Sequence, residues 1–493
     1  MKELELSRRS MLRMLGVGAA VTATGGLASA CSLVGSGDSE QSSGDTVTIK
    51  IALVPDPTGA SQFYREQFDL FEKANPGIKV QVIENPTDQQ TNAIELSFQQ
   101  GSPPDVFRAQ DDAFDRIFDR GWIAPLDAHV TDEFKARFPE GTLDPATSGL
   151  HRDGKLYTLP LVWGKWSYVR LLLVNNTAAQ LGGVTTPPKT WEELEQTATA
   201  ITRRGGGKTF GFGGIWGKGN MAKFLQNTGG PSSIDQGIDL RTGRAAVTDP
   251  SLIGVIELLR RMNANKVLTP GWETWTDASK LHAAFAKGEL AMFVAAPYQV
   301  NEIRKLNASI DMSIVAVPVP ASGRGGYSGQ SSSYSPLWSM SAQSKHPEQA
   351  WKLMDFLASK DFHRAYYEKF ATLTALESAW QDKAAANPDQ KAIMDVAAES
   401  VRIIPNPKLV GKGGAALMSA IRGKQDLQWS EIALPAILHN QAFAGPAAQL
   451  NAKLDTFIDQ QVTELSAKGT KVARADITFP GWDPLQPYTP AQK

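Results

Sequence analysis

The sequence predicts an α/β protein of two or more domains, each built on a mainly parallel sheet with helices on its faces. Three observations carry this. At 493 residues the chain is too long to pack around one core. Its stretch from residue 46 to 82 reads strand, helix, strand. Apolar strand runs then alternate with capped helices to about residue 360, after which strand signals almost vanish.

Within residues 46–54, Val47, Ile49, Ile51 and Leu53 alternate with polar or small residues, the two-residue period of a strand. Residues 61–75 then put Phe63, Tyr64, Phe68 and Phe71 at helical spacing and stop at Asn75-Pro76-Gly77. Ile78, Val80 and Val82 resume the strand period, giving a βαβ unit and hence a parallel sheet. Thr190-Trp191-Glu192-Glu193 is a capping box that opens a helix to about Arg203. Asp249-Pro250 offers a cap and a first-turn proline for another, through Leu258 and Leu259. His346-Pro347-Glu348 opens a third, continued by Trp351, Met354 and Leu357. Strands are expected between them at 171–174, 290–295 and 314–317, and helix from 361 to 468. No solenoid repeat is visible.

In open α/β sheets ligands bind beyond the carboxyl ends of the strands. The loops to inspect are therefore residues 55–60, 110–112 and 297–299. The last follows the apolar run in "FAKGELAMFVAAPY" and places Tyr298 where a ligand would lie.

Composition narrows the function. A hydrophobic fraction of 42% with 20% charged residues is ordinary for a soluble globular protein. Lys and Arg total 50 against 51 Asp and Glu, so no basic excess points to a nucleic-acid partner. Twelve tryptophans suggest apolar binding surfaces, with core packing as the alternative for each ring.

The N-terminus reads as an address rather than as part of the fold. Arg8 and Arg9 precede an uncharged stretch, 14–30, rich in Ala, Gly and Thr, and S-R-R-x-M-L-R resembles a twin-arginine export signal. A membrane-spanning helix is the alternative, but the glycines and threonines make the segment weakly hydrophobic. Cys31, the only cysteine, follows Leu27-Ala28-Ser29-Ala30, which resembles the lipobox of bacterial lipoproteins; an incidental cysteine is the alternative. Residues 31–45 read as a flexible polar tether. A chain with one cysteine forms no internal disulfide. Loss of residues 1–30 would remove a net charge of +2 and leave the mature chain at −3.

Motifs for catalysis fit poorly. Gly207-Lys208-Thr209 resembles the end of a phosphate-binding loop, but Thr202 stands where glycine is needed. Gly217-x-Gly219-x-x-Ala222 is a loosened dinucleotide pattern that arises readily by chance, and Gly326-Tyr327-Ser328-Gly329 lacks the fifth residue of a nucleophile elbow and reads as a loop. The six histidines form no pair with metal-ligand spacing, so neither metal nor cofactor is expected. Asp111-Asp112 raises a glycosidase reading, yet adjacent residues of an extended chain point apart and cannot easily flank one bond.

Taken together, four stretches resemble the extracellular solute-binding proteins of sugar ABC transporters, the group that includes maltose-binding protein. They are "SPPDVFRAQDDAFDRIFDRGWIAPLD" (102–127), "RDGKLYTLPLVWGKWSYVRLLLVNNTAAQLGGVTTPPKTWEEL" (152–194), "FAKGELAMFVAAPY" (285–298) and "SAQSKHPEQAWKLMDFLAS" (341–359). The resemblance implies a two-lobed, class II periplasmic-binding-protein-like α/β fold with a helical C-terminal region. Lobe 1 would comprise residues 46–164 and 322–362, and lobe 2 residues 165–321 and 363–493. It implies that Asp111 accepts sugar hydroxyls from the first lobe and that Tyr298 supplies the aromatic wall of the second. Trp338 departs from the family pattern, where small or aliphatic strand residues are usual.

Trp163, Trp216, Asn220, Trp272, Trp338 and Asp56 are the further candidates for ligand contact, Trp163 and Trp166 bordering the first crossover. The expected function is a monomeric, lipid-anchored receptor on the extracytoplasmic face of the cell membrane. It would have no catalytic residues and would hand a sugar or oligosaccharide to an ABC permease. The rivals are a secreted carbohydrate-active enzyme using Asp111 and a same-fold receptor for a non-sugar solute.

Overall fold

The computed structural model describes residues 46–492 apart from 88, 110, 147, 217–219, 227–236, 276–277 and 331–336. The export signal with Arg8 and Arg9, Cys31 and the tether up to residue 45 lie outside the described residues. Strand β1 (Val47–Leu53), helix α1 (Ala60–Ala74) and strand β2 (Ile78–Glu84) form the expected βαβ unit, with β1 and β2 parallel from Val47 opposite Ile78 to Leu53 opposite Glu84. Helix α2 (Gln90–Gln99), strand β3 (Val106–Ala109) and helix α3 (Asp111–Asp119) follow, then strands β4 (Thr158–Pro160) and β5 (Leu171–Asn175). Helix α4 (Trp191–Gly205) starts at the predicted capping box, the Thr190 hydroxyl accepting from the Glu193 N–H. Strand β6 (Phe210–Gly213) and helices α5 (Asn220–Gln226), α6 (Pro250–Ala264) and α7 (Ser279–Ala286) come next. Strand β7 (Leu290–Ala295), helix α8 (Pro297–Leu306), and strands β8 (Met312–Ala316) and β9 (Leu337–Met340) precede helices α9 (Pro347–Leu357), α10 (Lys360–Phe370) and α11 (Pro388–Ser400).

Two sheets organise these elements. The first runs β2-β1-β3-β9-β4 and the second β8-β5-β7-β6. In the first sheet β1 is parallel to β2 and β3, while β9 lies antiparallel to both β3 and β4. In the second, β7 is parallel to β6 and antiparallel to β5, and β8 is antiparallel to β5. The chain leaves the first sheet after β4, returns at β9, and leaves again beyond α10, where Ala375 donates its N–H to the carbonyl of Leu161 in the first crossing at 2.8 Å.

Both faces of the second sheet are covered, which is why its strands read as unbroken apolar runs. Along β5, Leu171 and Leu173 join the apolar core shared with the first sheet, whereas Leu172 and Val174 join a second core with Phe212, Leu258 and Met292. Tight approach across that second core requires glycine at 211. A methyl built on Gly211 would sit 2.1 Å from the Ala198 carbonyl oxygen of α4.

One expectation needs correction. The region after 361 is mainly helical but contains a strand, Val401–Ile403, parallel to Ser328–Gln330, so the Gly326–Gly329 stretch is not wholly loop. Helix α10 also packs Phe362 and Tyr366 on Phe63 of α1, with ring centroids 5.7 and 5.5 Å apart, so the first core reaches past residue 362. The reason is a continuous aromatic cluster that one strand-and-helix grammar does not reveal.

Candidate functional site

A cleft of about 1000 Å³ opens at the carboxyl ends of strands from both sheets. Asp56 and Pro57 reach it from the segment after β1, Arg108 from the end of β3, Trp166 and Arg170 from the first crossing, and Gly213 and Gly214 from the end of β6. Pro297 and Tyr298 close it from the segment after β7, and Tyr366 and Phe370 from α10. Strand ends converge here because each parallel strand delivers its following segment to the same edge of its sheet.

Tyr298 is held where it stands by its neighbours. Strand β7 ends at Ala295, and the Gln299 side-chain carbonyl accepts the Ala296 N–H at 2.8 Å. That fixes the Gln299 amide, whose nitrogen lies 2.8 Å from Nε2 of the buried His282 on α7. The residues expected as a loop at 297–299 are thus the first turn of α8, with Pro297 in its favoured first-turn position. Tyr298 is 58% exposed, against 6% for its neighbour Gln299. Its ring meets His282 edge-on at 6.5 Å and stands open on the cleft wall.

Trp166 faces the same space. It packs edge-on against Trp380 at 5.5 Å, and the Lys165 ammonium lies 4.5 Å from its ring centroid and 3.7 Å from Glu377. Tyr64 and Tyr366 lie beneath the first-lobe wall. Burial raises the Tyr64 hydroxyl to a pKa of about 12 despite the nearby Arg108 charge, and burial likewise raises Tyr366. Both phenols are therefore neutral hydrogen-bonding groups rather than acids near neutrality.

The structure brings Asp56, Asn220 and Tyr298 together on the cleft. The Asp111 backbone begins α3 rather than lying in a loop, and its side chain lies outside what is described. The tryptophans divide. Trp338 is 1% exposed in β9, edge-on to Tyr64 at 6.1 Å, so the departure from small strand residues fills the first core, and the ring is not among the cleft-lining residues. Trp216 and Trp272 are buried against one another at 5.8 Å, and the Trp272 N–H donates to Asn263. Trp163 is half-buried beside Lys165, at 5.5 Å, and is not among the cleft-lining residues. The ring that reaches the cleft from the crossing is its neighbour Trp166. Arg108 and Tyr366 were not singled out either. An arginine inside the otherwise apolar strand "VFRA" was the available signal for the first.

Among the described residues no group of three or more His, Cys, Asp or Glu could hold a metal ion, and no helix is long and apolar enough to cross a membrane.

Two α/β bodies joined by repeated chain crossings, with an open cleft between the strand ends of both, define a two-lobed solute-receptor fold of the periplasmic binding-protein type. The chain belongs to the bacterial extracellular solute-binding proteins, whose family model matches residues 66–392. A chain of Brucella abortus (strain 2308) designated a binding protein is 26% identical over 325 residues, which are 66% of this chain and 75% of that one. An ABC transporter solute-binding protein of Thermotoga lettingae, solved with α-D-tagatose, is similar with a TM-score of 0.62 at 18% identity, over 83% of this chain and 99% of that one. The maltose/maltodextrin-binding domain of Bdellovibrio bacteriovorus, solved with maltotriose, gives 0.58 at 22% identity over 83% and 99%.

Proposed function

We propose that this protein is a non-catalytic receptor that captures a sugar or oligosaccharide between its lobes and delivers it to an ABC permease. The observation that carries the reading is the exposed Tyr298 ring on a rigid turn, sharing one cleft with Trp166 and the exposed carboxylate of Asp56. Sugars present C–H faces that pack on rings and hydroxyls that bond to carboxylates and amides. Micromolar affinity needs about −8 kcal/mol, and charge-assisted hydrogen bonds contribute roughly 1.5–3 kcal/mol each. An acid and two rings are therefore of the right order when closure excludes water. Relatives of the same fold solved with tagatose and maltotriose support the sugar class.

The remaining assignments rest on sequence. Arg8 and Arg9 direct export, Cys31 carries the lipid, and the receptor sits as a monomer on the extracytoplasmic face of the membrane, with Asp111 beside the ligand. A ligand touching both lobes stabilises the closed form, which is the signal a permease reads. Calorimetry and X-ray scattering against a panel of mono- and oligosaccharides test this. Binding with a fall in radius of gyration is expected. Catalytic release of products would favour the enzyme reading, and absence of any saccharide binding would end the receptor reading.

A further inference from the structure

We propose that the ligand of this cleft carries an oxyanion, a carboxylate in the first instance, and that Arg108 receives it. The inference rests on the sugar-receptor reading and narrows it from sugars in general to acidic sugars. Arg108 is only 8% exposed, yet its guanidinium has five N–H donors and uses almost none of them. Its Nη1 makes two long contacts of 3.4 Å, to the carbonyls of Val54 and Asp56, and its buried Nε has no hydrogen-bond partner. Among the described residues no carboxylate forms an ion pair with it, Asp56 included, although Asp56 lies on the same wall. A buried charge without a counter-charge is costly, and proteins that keep one generally have a partner in mind for it.

The rest of the wall points the same way. Its described residues include five cations, Arg108, Arg170, Arg304, Lys305 and Lys369, against three acids, Asp56, Glu302 and Glu368. Arg304 is neutralised by Asp389 at 2.7 Å, Lys305 and Glu302 pair with one another, and Glu368 pairs with Lys383. Beyond these pairs the wall sets Arg108 and Lys369 against the single carboxylate of Asp56, on a chain whose overall charge is −1. A guanidinium fork matches a carboxylate bidentately, and Trp166, Tyr298 and Tyr366 in the same cleft offer faces suited to a sugar ring. A neutral sugar would leave Arg108 buried and uncompensated in the closed form.

The test is calorimetry on the full mature chain with matched pairs: galacturonate and galactose, glucuronate and glucose, their short oligomers, and glucose 6-phosphate. In the wild type the uronates should bind about tenfold to a hundredfold more tightly than the neutral sugars of the same stereochemistry. Arg108→Gln should remove that preference. Tighter binding of glucose 6-phosphate than of either uronate would overturn the carboxylate and leave the oxyanion. Neutral sugars binding as tightly as their acids in the wild type would overturn the proposal while leaving the receptor reading intact, and this comparison does not depend on the variant folding. Binding of inorganic phosphate or citrate with no saccharide binding at all would instead overturn the sugar reading itself.

Discussion

Histidine 363 should make this protein acid-sensitive well above the range where its carboxylates titrate. The residue lies on α10, 1% exposed, with Nδ1 lacking a hydrogen-bond partner. Burial pushes its pKa down to about 3, the Leu357 backbone only partly opposing it, whereas an unfolded chain holds a histidine near 6.5. Above about pH 6.5 neither state binds the proton and the residue is neutral in its effect. Between about 6.5 and 3 the unfolded chain takes up a proton that the folded chain refuses, so stability falls with pH at up to about 1.4 kcal/mol per unit. From pH 7 to pH 5 the loss is about 2 kcal/mol from this one ring. Burial lowers His151 as well, with the same sign, so the informative quantity is a difference between proteins. Guanidinium unfolding at both pH values should show His363→Leu losing about 2 kcal/mol less than the wild type on acidification. Parallel losses in the two proteins would refute the assignment of that proton to His363.

Other perturbations separate the site from the scaffold. Tyr298→Ala should weaken saccharide binding by about tenfold in calorimetry while leaving the melting temperature nearly unchanged, because the ring is mostly exposed. Asp111→Ala should also weaken binding without unfolding the chain, and undiminished affinity in calorimetry would remove Asp111 from the site. Asp115 of α3 pairs with Arg152 and, at 2.7 Å, with Lys408; burial opposes its charge, but the two cations outweigh burial and hold its carboxyl below the usual range. Lys408→Ala should therefore cost about 1 kcal/mol near neutrality, and the cost should begin to shrink only as pH falls below the usual carboxylate range, disappearing once the lowered Asp115 carboxyl itself takes up a proton, as urea titrations would reveal. Gly211→Ala forces a methyl onto the α4 backbone and should destabilise by about 2–3 kcal/mol in the same assay.

Local rules made much of the fold legible. The Phe63, Tyr64, Phe68 and Phe71 spacing, the Thr190 capping box and the run from Leu290 to Ala295 each depend on residues within a few positions, and the structure follows them closely. The cleft was legible where it hangs on strand ends, which bring Asp56 and Tyr298 to its wall. Tryptophans were not, because a ring at 272 or 338 is decided by distant partners, Trp216 in one case and Tyr64 in the other. Arg108 escaped for a related reason. That no described carboxylate pairs with it is visible only in the assembled wall.

The place of β9 in the first sheet sets a timetable for the nascent chain. That strand fills the gap between β3 and β4, yet it is translated only after the whole of the second sheet. At about 5–20 residues per second, the roughly 230 residues separating β3 from β9 take on the order of 10–45 s to emerge. Throughout that interval the inner edge of β3, joined by that of β4 once it is made, stands unpaired and open to strand pairing with other chains. The sheet thus stays half-finished during synthesis until its last strand arrives, and shielding of those edges in that interval guards against premature pairing.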